Sequence, residues 1–366
     1  MRVVLIAGAR PNFVKIAPLR DALETRASVE PVIVHTGQHY DDIMSAAFFR
    51  ELSIPAADFN LGVGSASHAI QTAKIMQSFD RFLDDHPTDL VAVVGDVNST
   101  VACSLTAVKR RIPVAHVEAG LRSFDWSMPE EINRVVTDAV SSLLFTPSRD
   151  ADENLLKEGR PREAIHFVGN VMVDTLLKFR ERALANEELL FNLNLTPREY
   201  AVLTLHRPAN VDERGAFEGI LGALEETAEE LPIVYPMHPR SVKTLEAVGL
   251  GDRARSIEGL RLTPPMGYLD FIMLEANARM VMTDSGGVQE ETTVLGVPCL
   301  TLRPNTERPV TVTEGTNRVV GTDREAIVSA AREVLAREET PSAEAPELWD
   351  GRAAERIARI LEEFAA

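Results

Sequence analysis

The stretch Arg279–Glu291, RMVMTDSGGVQEE, decides how this chain is read. An apolar run ends at Asp284. Ser285, Gly286 and Gly287 follow, and a helical pattern carrying Glu290 and Glu291 begins at once. The order is strand, tight glycine turn, helix N-terminus. Such a turn leaves backbone N–H groups pointing outward with the positive end of a helix dipole behind them, a seat for phosphate. Glycine lets the backbone approach a ligand closely. Ser285, Gly286 and Gly287 are therefore candidates for holding a diphosphate. Glu291, about one turn further on, is a candidate acceptor for ribose hydroxyls. The same order also serves an ordinary strand-to-helix turn, so the motif alone leaves both readings open.

Working outward, short β-branched runs alternate with longer amphipathic stretches. Val3–Ala7, Pro31–His35, Leu90–Val94, Val114–Val117 and Leu143–Thr146 read as buried strands. Ala17–Thr25, Ser67–Leu83 and Thr100–Arg110 read as helices between them. A second series has strands at Ala201–Leu205, Ile233–Met237, Ser256–Ile257, Met280–Thr283 and Cys299–Leu302. Its helices are Glu213–Glu230, Ser241–Val248, Tyr268–Ala276, Gly287–Leu295 and Arg324–Arg337. This alternation predicts an α/β protein of two Rossmann-like, doubly wound domains facing a central cleft. The expected domains are residues 1–170, joined by a C-terminal helix within 351–366, and residues 171–350. The junction is expected through the helical stretch Val173–Leu190, and Glu338–Pro346 reads as a solvated linker.

The bulk numbers narrow the function. A chain of 366 residues exceeds a single core of ordinary size, which fits two domains. The formal net charge of −17 argues against nonspecific nucleic-acid or anionic-membrane binding. An anionic ligand would need a local basic cluster. Cys103 and Cys299 lie far apart in apolar stretches and read as buried thiols of a reducing compartment, not as a disulfide or metal site. The N-terminus enters a strand with no signal-peptide pattern, and no apolar run is long enough for a bilayer. A cytoplasmic location is expected.

Ligands of open parallel sheets collect at the carboxyl ends of strands. There this chain places Gly8–Pro11, His35–His39, Gly95–Thr100 and Glu118–Gly120 in one half. In the other half it places His206-Arg207, His238–Arg240, Asp284–Gly287 and Arg303-Pro304. Asp96 reads either as a reactive carboxylate or as the N-cap of the helix after it. Glu130 opens a helix behind Pro129 and reads either as reactive or as a first-turn charge. Glu118 follows an apolar strand directly. Arg308 lies in a loop, where its fork suits a phosphate. No spacing supports a metal site from His206, His238 and Asp284.

Taken in order, these segments resemble the non-hydrolysing UDP-N-acetylglucosamine 2-epimerases. The likeness rests on GARPNFVK (Gly8–Lys15), TGQHY (Thr36–Tyr40), GDVNST (Gly95–Thr100) and HVEAGLR (His116–Arg122). It continues through PEEINR (Pro129–Arg134), DSGGVQEE (Asp284–Glu291) and TERP (Thr306–Pro309), so it runs from Gly8 to about Gly321. The resemblance implies the glycosyltransferase-B architecture, a homodimer, and interconversion of UDP-GlcNAc and UDP-ManNAc without a redox cofactor. It implies catalytic roles for Asp96, Glu118, Glu130 and His206. It implies substrate contacts from Arg10, Lys15, Arg207, His238, Phe271, Ser285, Gly286, Gly287, Glu291 and Arg308.

The chemistry agrees with a cofactor-free route. The C2 proton of GlcNAc lies next to no carbonyl, so direct removal leaves an unstabilised carbanion. Gly62-Val63-Gly64-Ser65 makes a poor dinucleotide fingerprint, because no strand feeds it directly. Elimination is the other route: a base takes the C2 proton as UDP leaves C1, and UDP adds back to the glycal. That needs carboxylates at the sugar and cations at the diphosphate. Three alternatives share the pattern: a hydrolytic relative releasing ManNAc and UDP, a glycosyltransferase, and a nucleotide-sugar sensor. The sensor is disfavoured, because three carboxylates gain nothing for binding an anion. His206-Arg207-Pro208-Ala209-Asn210 stands where many bacterial members have His-Arg-Arg-Glu-Asn. Gln38 matches the first glutamine of an activator site that some members use, but Asp41 stands at the second and no Arg occurs near Gly64–Ser67, so the match to that site is incomplete.

Overall fold

A computed structural model describes residues 1–37, 51, 52, 56–211, 214–237, 239–337 and 344–365, with the side chains of Arg10, Pro11, Pro208, Pro239 and Arg240 left aside. The chain forms two compact units, Met1–Lys178 with Glu347–Ala366, and Phe179–Pro346.

The strands of the first unit are β1 (Arg2–Ala7), β2 (Glu30–His35), β3 (Phe59–Asn60), β4 (Leu90–Val94), β5 (Val114–Val117), β6 (Leu143–Thr146) and β7 (Ile165–Phe167). They form one parallel sheet in the order β3-β2-β1-β4-β5-β6-β7. β4 reads LVAVV and is buried throughout, as a strand covered by helices on both faces must be. The helices are α1 (Arg10–Glu24), α2 (His68–Asp85), α3 (Asn98–Lys109), α4 (Pro129–Val140), α5 (Arg149–Lys157) and α6 (Val171–Leu184), the last running on into the second unit.

The second unit holds α7 (Glu187–Asn192), β8 (Ala201–Thr204), α8 (Pro208–Val211), α9 (Arg214–Glu230), β9 (Ile233–Pro236), α10 (Pro239–Ala247) and α11 (Gly251–Ser256). β10 (Leu260–Thr263), α12 (Tyr268–Asn277), β11 (Met280–Thr283) and α13 (Gly286–Leu295) come next. β12 (Cys299–Thr301), α14 (Val310–Thr313), β13 (Asn317–Val319) and α15 (Arg324–Leu335) complete it, and α16 (Ala353–Phe364) returns to the first unit. Its parallel sheet has the order β10-β9-β8-β11-β12-β13. In each sheet the winding reverses between two central strands, β1 and β4 in the first unit and β8 and β11 in the second. Loops diverge there and open a crevice at the carboxyl ends. Gly8 and Gly95 flank the first switch point; His206 and Ser285 flank the second.

Three local expectations differ from what forms. The first helix begins at Arg10, not Ala17, and runs through Pro18. Pro18 has no N–H for the Val14 carbonyl four residues back. That carbonyl accepts instead from Thr175 Oγ1 of α6 at 2.6 Å, which makes the proline tolerable. The stretch Val173–Leu190 is broken near Asn186, whose non-helical backbone starts α7 and whose side-chain amide donates to Asp270 at 2.9 Å. Ser256 closes α11, so the expected strand Ser256–Ile257 does not form. The strand starts at Leu260, after Gly259 turns the chain with φ 86°.

The C-terminal helix is tied down by buried Asp174 of α6, whose carboxylate accepts from the N–H groups of Ala353 (3.1 Å) and Ala354 (2.7 Å). Cys103 and Cys299 are both free and buried, and burial pushes both thiols up. No helix among the described residues is long and apolar enough to cross a membrane.

Candidate functional site

In the first unit, Val94 of β4 and Val117 of β5 face each other in register, so the residues that follow them leave the sheet side by side. Those residues include Gly95-Asp96 and Glu118. Glu118 has φ 68°, a left-handed conformation rare outside glycine. Such strain of about 1–3 kcal/mol gathers at functional turns. Its carboxylate is buried. Oε2 lies 2.5 Å from Lys15 Nζ, and Oε1 has no hydrogen-bond partner among the described residues. Lys15 comes from α1, which Asn12 anchors: its Oδ1 accepts from the Gly8 and Ala9 N–H groups, and its Nδ2 donates to the Val94 carbonyl.

Asp96 does not cap the helix after it. Val97 holds the N-cap position of α3, while Asp96 Oδ2 lies 2.5 Å from Arg134 Nη1. Arg134 is on α4, one turn beyond half-buried Glu130 in its first turn. The third candidate carboxylate is thereby attached to the same framework. Arg134 also pairs with Glu131 at 2.7 Å. Burial alone would raise the Glu131 carboxyl, but the N–H groups of Ser123 and Phe124 and the Arg134 charge hold it below its ordinary range. Glu131 thus pins the Ser123–Phe124 loop.

In the second unit, fully buried Asp284 follows β11 and organises the turn after β8. It accepts from the backbone N–H groups of His206 (3.1 Å) and Arg207 (2.9 Å), from Asn210 Nδ2 (3.1 Å) and from His206 Nδ1 (2.9 Å). Burial would raise Asp284; the bonds to His206 and Arg207 overcome that and lower it. An ionised Asp284 fixes the His206 tautomer with Nδ1–H, and the ring remains half-exposed.

Beside that turn stands a buried arginine cluster. Glu307 pairs with Arg308 Nη1 (2.7 Å), Arg303 Nη2 (2.8 Å) and Arg207 Nη2 (3.3 Å). Burial would raise Glu307, but the three guanidinium charges hold it far below its ordinary range. Arg308 also gives its Nε to Glu290 at 2.6 Å. The cluster meets the start of α13: a Cβ on Gly286 would lie 2.3 Å from Arg308 Nη1. Ser285 is the N-cap of α13 but makes no side-chain capping bond, so the cap supplies no partner to the first-turn N–H groups. The cluster gathers three guanidinium groups where the helix dipole is also positive, which suits a diphosphate. One turn on, Glu291 is buried, accepts from the Tyr268 hydroxyl at 2.8 Å, and is pushed up to about 7 by burial and the neighbouring Glu290. Phe271 is partly buried and packs on the core below α12.

The first unit therefore brings together Lys15, Asp96, Glu118 and α4 with Glu130. The second brings together His206, Arg207, Ser285, Gly286 and Arg308, with Gly287 in the first turn of the same helix and Glu291 beyond it. The Arg10 side chain, His238, Gln38 and Asp41 lie outside the described residues.

The family model described as UDP-N-acetylglucosamine 2-epimerase matches residues 21–362. The chain belongs to this family. It is 43% identical, over 99% of each chain, to the UDP-N-acetylglucosamine 2-epimerase of Methanocaldococcus jannaschii. It is 39% identical, over 99% of each chain, to the UDP-2,3-diacetamido-2,3-dideoxy-D-glucuronate 2-epimerase of Pseudomonas aeruginosa. The crystal structure of the M. jannaschii enzyme with UDP-GlcNAc and UDP superposes with a TM-score of 0.93, at 42% identity, covering 99% of this chain and 100% of that one. With two parallel-sheet units, the epimerase chain has the glycosyltransferase-B class of fold.

Several organising residues escape a reading of strand ends. Arg134, Glu131 and Asp138 lie inside α4, away from any strand end. What marks them is only visible in three dimensions: each is a charged residue almost fully buried, and buried charges are paired.

Proposed function

We propose that this family member epimerises C2 of a UDP-linked acetamido sugar, interconverting UDP-GlcNAc and UDP-ManNAc by elimination of UDP to a glycal and re-addition. No redox cofactor takes part. The observation that carries the reading is the division of charge: carboxylates gathered around Asp96 and Glu118 in one unit, arginines gathered at a helix N-terminus in the other. Elimination needs both kinds of group, one for the C2 proton and one for the leaving diphosphate.

In this reading Asp96, Glu118 and Glu130 move the C2 proton. Lys15 occupies Oε2 of Glu118 and leaves Oε1 to the substrate. His206, Arg207 and Arg308 neutralise the departing diphosphate, which rests on the N–H groups of Ser285, Gly286 and Gly287. Glu291 accepts from the ribose hydroxyls and Phe271 contacts the uracil. Arg10 and His238 add substrate contacts, as the resemblance implies. Epimerisation and hydrolysis share the elimination step and differ in whether UDP or water adds to the glycal. A second substrate has support in the P. aeruginosa relative, which is named for a 2,3-diacetamido glucuronate; the C2 chemistry would be the same. The working unit we propose is a homodimer, which light scattering in solution checks.

The test is proton NMR of the protein in D2O with UDP-GlcNAc, and in parallel with UDP-2,3-diacetamido-glucuronate, no cofactor being added. UDP-ManNAc with deuterium at C2 is the expected product. Free ManNAc with UDP would assign the hydrolytic reaction. Turnover of the diacetamido sugar alone would move the substrate. No change at C2 of either sugar would overturn the reading.

A further inference from the structure

His116 of β5 is fully buried between two acceptors. Its Nε2 lies 2.9 Å from the Gly95 carbonyl and its Nδ1 lies 2.6 Å from Asp138 Oδ1. A carbonyl only accepts, so Nε2 carries a proton. The other oxygen of Asp138 accepts from Gly120 N–H (3.1 Å) and lies 2.7 Å from Arg122 Nη2. Burial would raise Asp138, but the His116 and Arg122 charges hold it below its ordinary range, so the carboxylate is ionised. The ring is thus held on both sides, Nδ1 at the Asp138 carboxylate and the Nε2–H at the Gly95 carbonyl. Arg122 in turn is paired with Glu158, and Lys15 and Glu118 stand beyond Gly95.

These contacts reach both turns of the candidate site. The Gly95 carbonyl belongs to the peptide that leads into Asp96, and the Gly95 N–H donates to the Val117 carbonyl at 3.1 Å. Gly95 is left-handed, φ 68°, and a Cβ there would stand 3.5 Å from Glu118 Oε2 and 3.6 Å from Lys15 Nζ. Gly120, two residues past Glu118, is left-handed too, φ 79°. Asp138 sits on α4, the helix that also carries Glu130 and Arg134.

We propose that His116, held between Asp138 and the Gly95 carbonyl, is a positioning residue. It locks the Gly95–Asp96 peptide and, through Asp138, the turn after Glu118, so that the candidate carboxylates keep one arrangement. Its activity readout rests on the epimerase reading; its protonation readout does not.

The experiment has two arms. Ring nitrogens of His116, assigned by triple-resonance NMR in the labelled wild-type protein, are followed from pH 6 to 9. Nε2 is expected to carry its proton throughout, as its contact with the Gly95 carbonyl requires. An unprotonated Nε2 at any of these pH values overturns the proposal. In the second arm, His116→Asn and Asp138→Asn are compared with wild type for C2 exchange in D2O and for UDP binding. The exchange kcat is expected to fall about 10²-fold, the size of effect a small misplacement of reacting groups has. UDP affinity is expected to stay within about twofold, because the arginine cluster is in the other unit. Faster amide exchange at Gly120 in both variants is expected as well. A folded His116→Asn variant with a kcat within about threefold of wild type overturns the proposal. Loss of UDP affinity in step with kcat overturns it too, since a merely structural role predicts that. If His116→Asn does not fold, the wild-type ring nitrogens decide. A wild type without C2 exchange counts against the epimerase reading, and the ring nitrogens and Gly120 amide then decide the inference.

Discussion

Lys15 Nζ lies 2.5 Å from Oε2 of Glu118, and both side chains are almost wholly withdrawn from solvent. Removing one partner of a buried pair strands the other charge, which is more damaging than replacing both. Lys15→Met is therefore expected to lower unfolding stability by about 3–5 kcal/mol. The double variant Lys15→Met with Glu118→Gln should recover part of that loss, though not activity. Urea unfolding of the single and double variants checks this. A double variant no more stable than the single one would mean that the pair contributes nothing of this kind.

Gly286 illustrates a glycine needed for close approach, not for backbone conformation. Its φ is ordinary, yet a Cβ would lie 2.3 Å from Arg308 Nη1 and 2.8 Å from Glu307 Oε1. Gly286→Ala must push the guanidinium away from the helix N-terminus. A UDP affinity about tenfold weaker is expected, equivalent to the loss of roughly one charge-assisted hydrogen bond at 1.4 kcal/mol. Calorimetric titration with UDP reads it. Unchanged affinity would place the diphosphate away from Arg308.

The strands that carry the sites were legible because β4, β5 and β11 are apolar runs, interrupted only by His116 and Thr283, and each is followed by a charged or glycine residue. Burial on both faces imposes that pattern, and it survives in one dimension. What was not legible depends on distant partners. Nothing near Pro18 announces that Thr175 will take the freed Val14 carbonyl. Nothing near Asp96 announces that Arg134, not the helix behind it, will hold its carboxylate. The strand, glycine turn and helix start around Asp284–Gly287 were readable from the order of residues, whereas the cluster of Arg207, Arg303 and Arg308 on Glu307 joins segments about a hundred residues apart.

Glu307 makes a stability prediction with a definite sign. Its folded value is depressed from 4.5 by the three arginines. Its contribution is therefore complete above about 4.5 and is lost progressively as pH falls below that. Glu307→Gln leaves three guanidinium groups facing one another and is expected to destabilise the protein by about 3–5 kcal/mol at neutral pH. The gap to wild type should narrow toward pH 3. Thermal unfolding at pH 7 and pH 3.5 measures both, and a gap independent of pH would contradict the pairing.

Glu275 is the opposite case. Its carboxylate is fully buried on α12, neither oxygen has a hydrogen-bond partner among the described residues, and Glu291 is the nearby like charge. Burial, reinforced by Glu291, pushes it well above its ordinary 4.5, so the folded protein keeps it neutral. The sign is then reversed. Below about 4.5 folded and unfolded chains are both protonated, and its contribution is complete. As pH rises, the unfolded chain ionises while the folded one does not, and stability falls by up to about 1.4 kcal/mol per pH unit. Glu275→Gln keeps the shape and removes the titration. Near pH 4.5 the variant should match wild type to within about 1 kcal/mol. At pH 8 it should be the more stable of the two. Urea midpoints of the two proteins at both pH values settle the matter: a difference that does not grow between them would mean that Glu275 is ionised in the folded protein and has a partner.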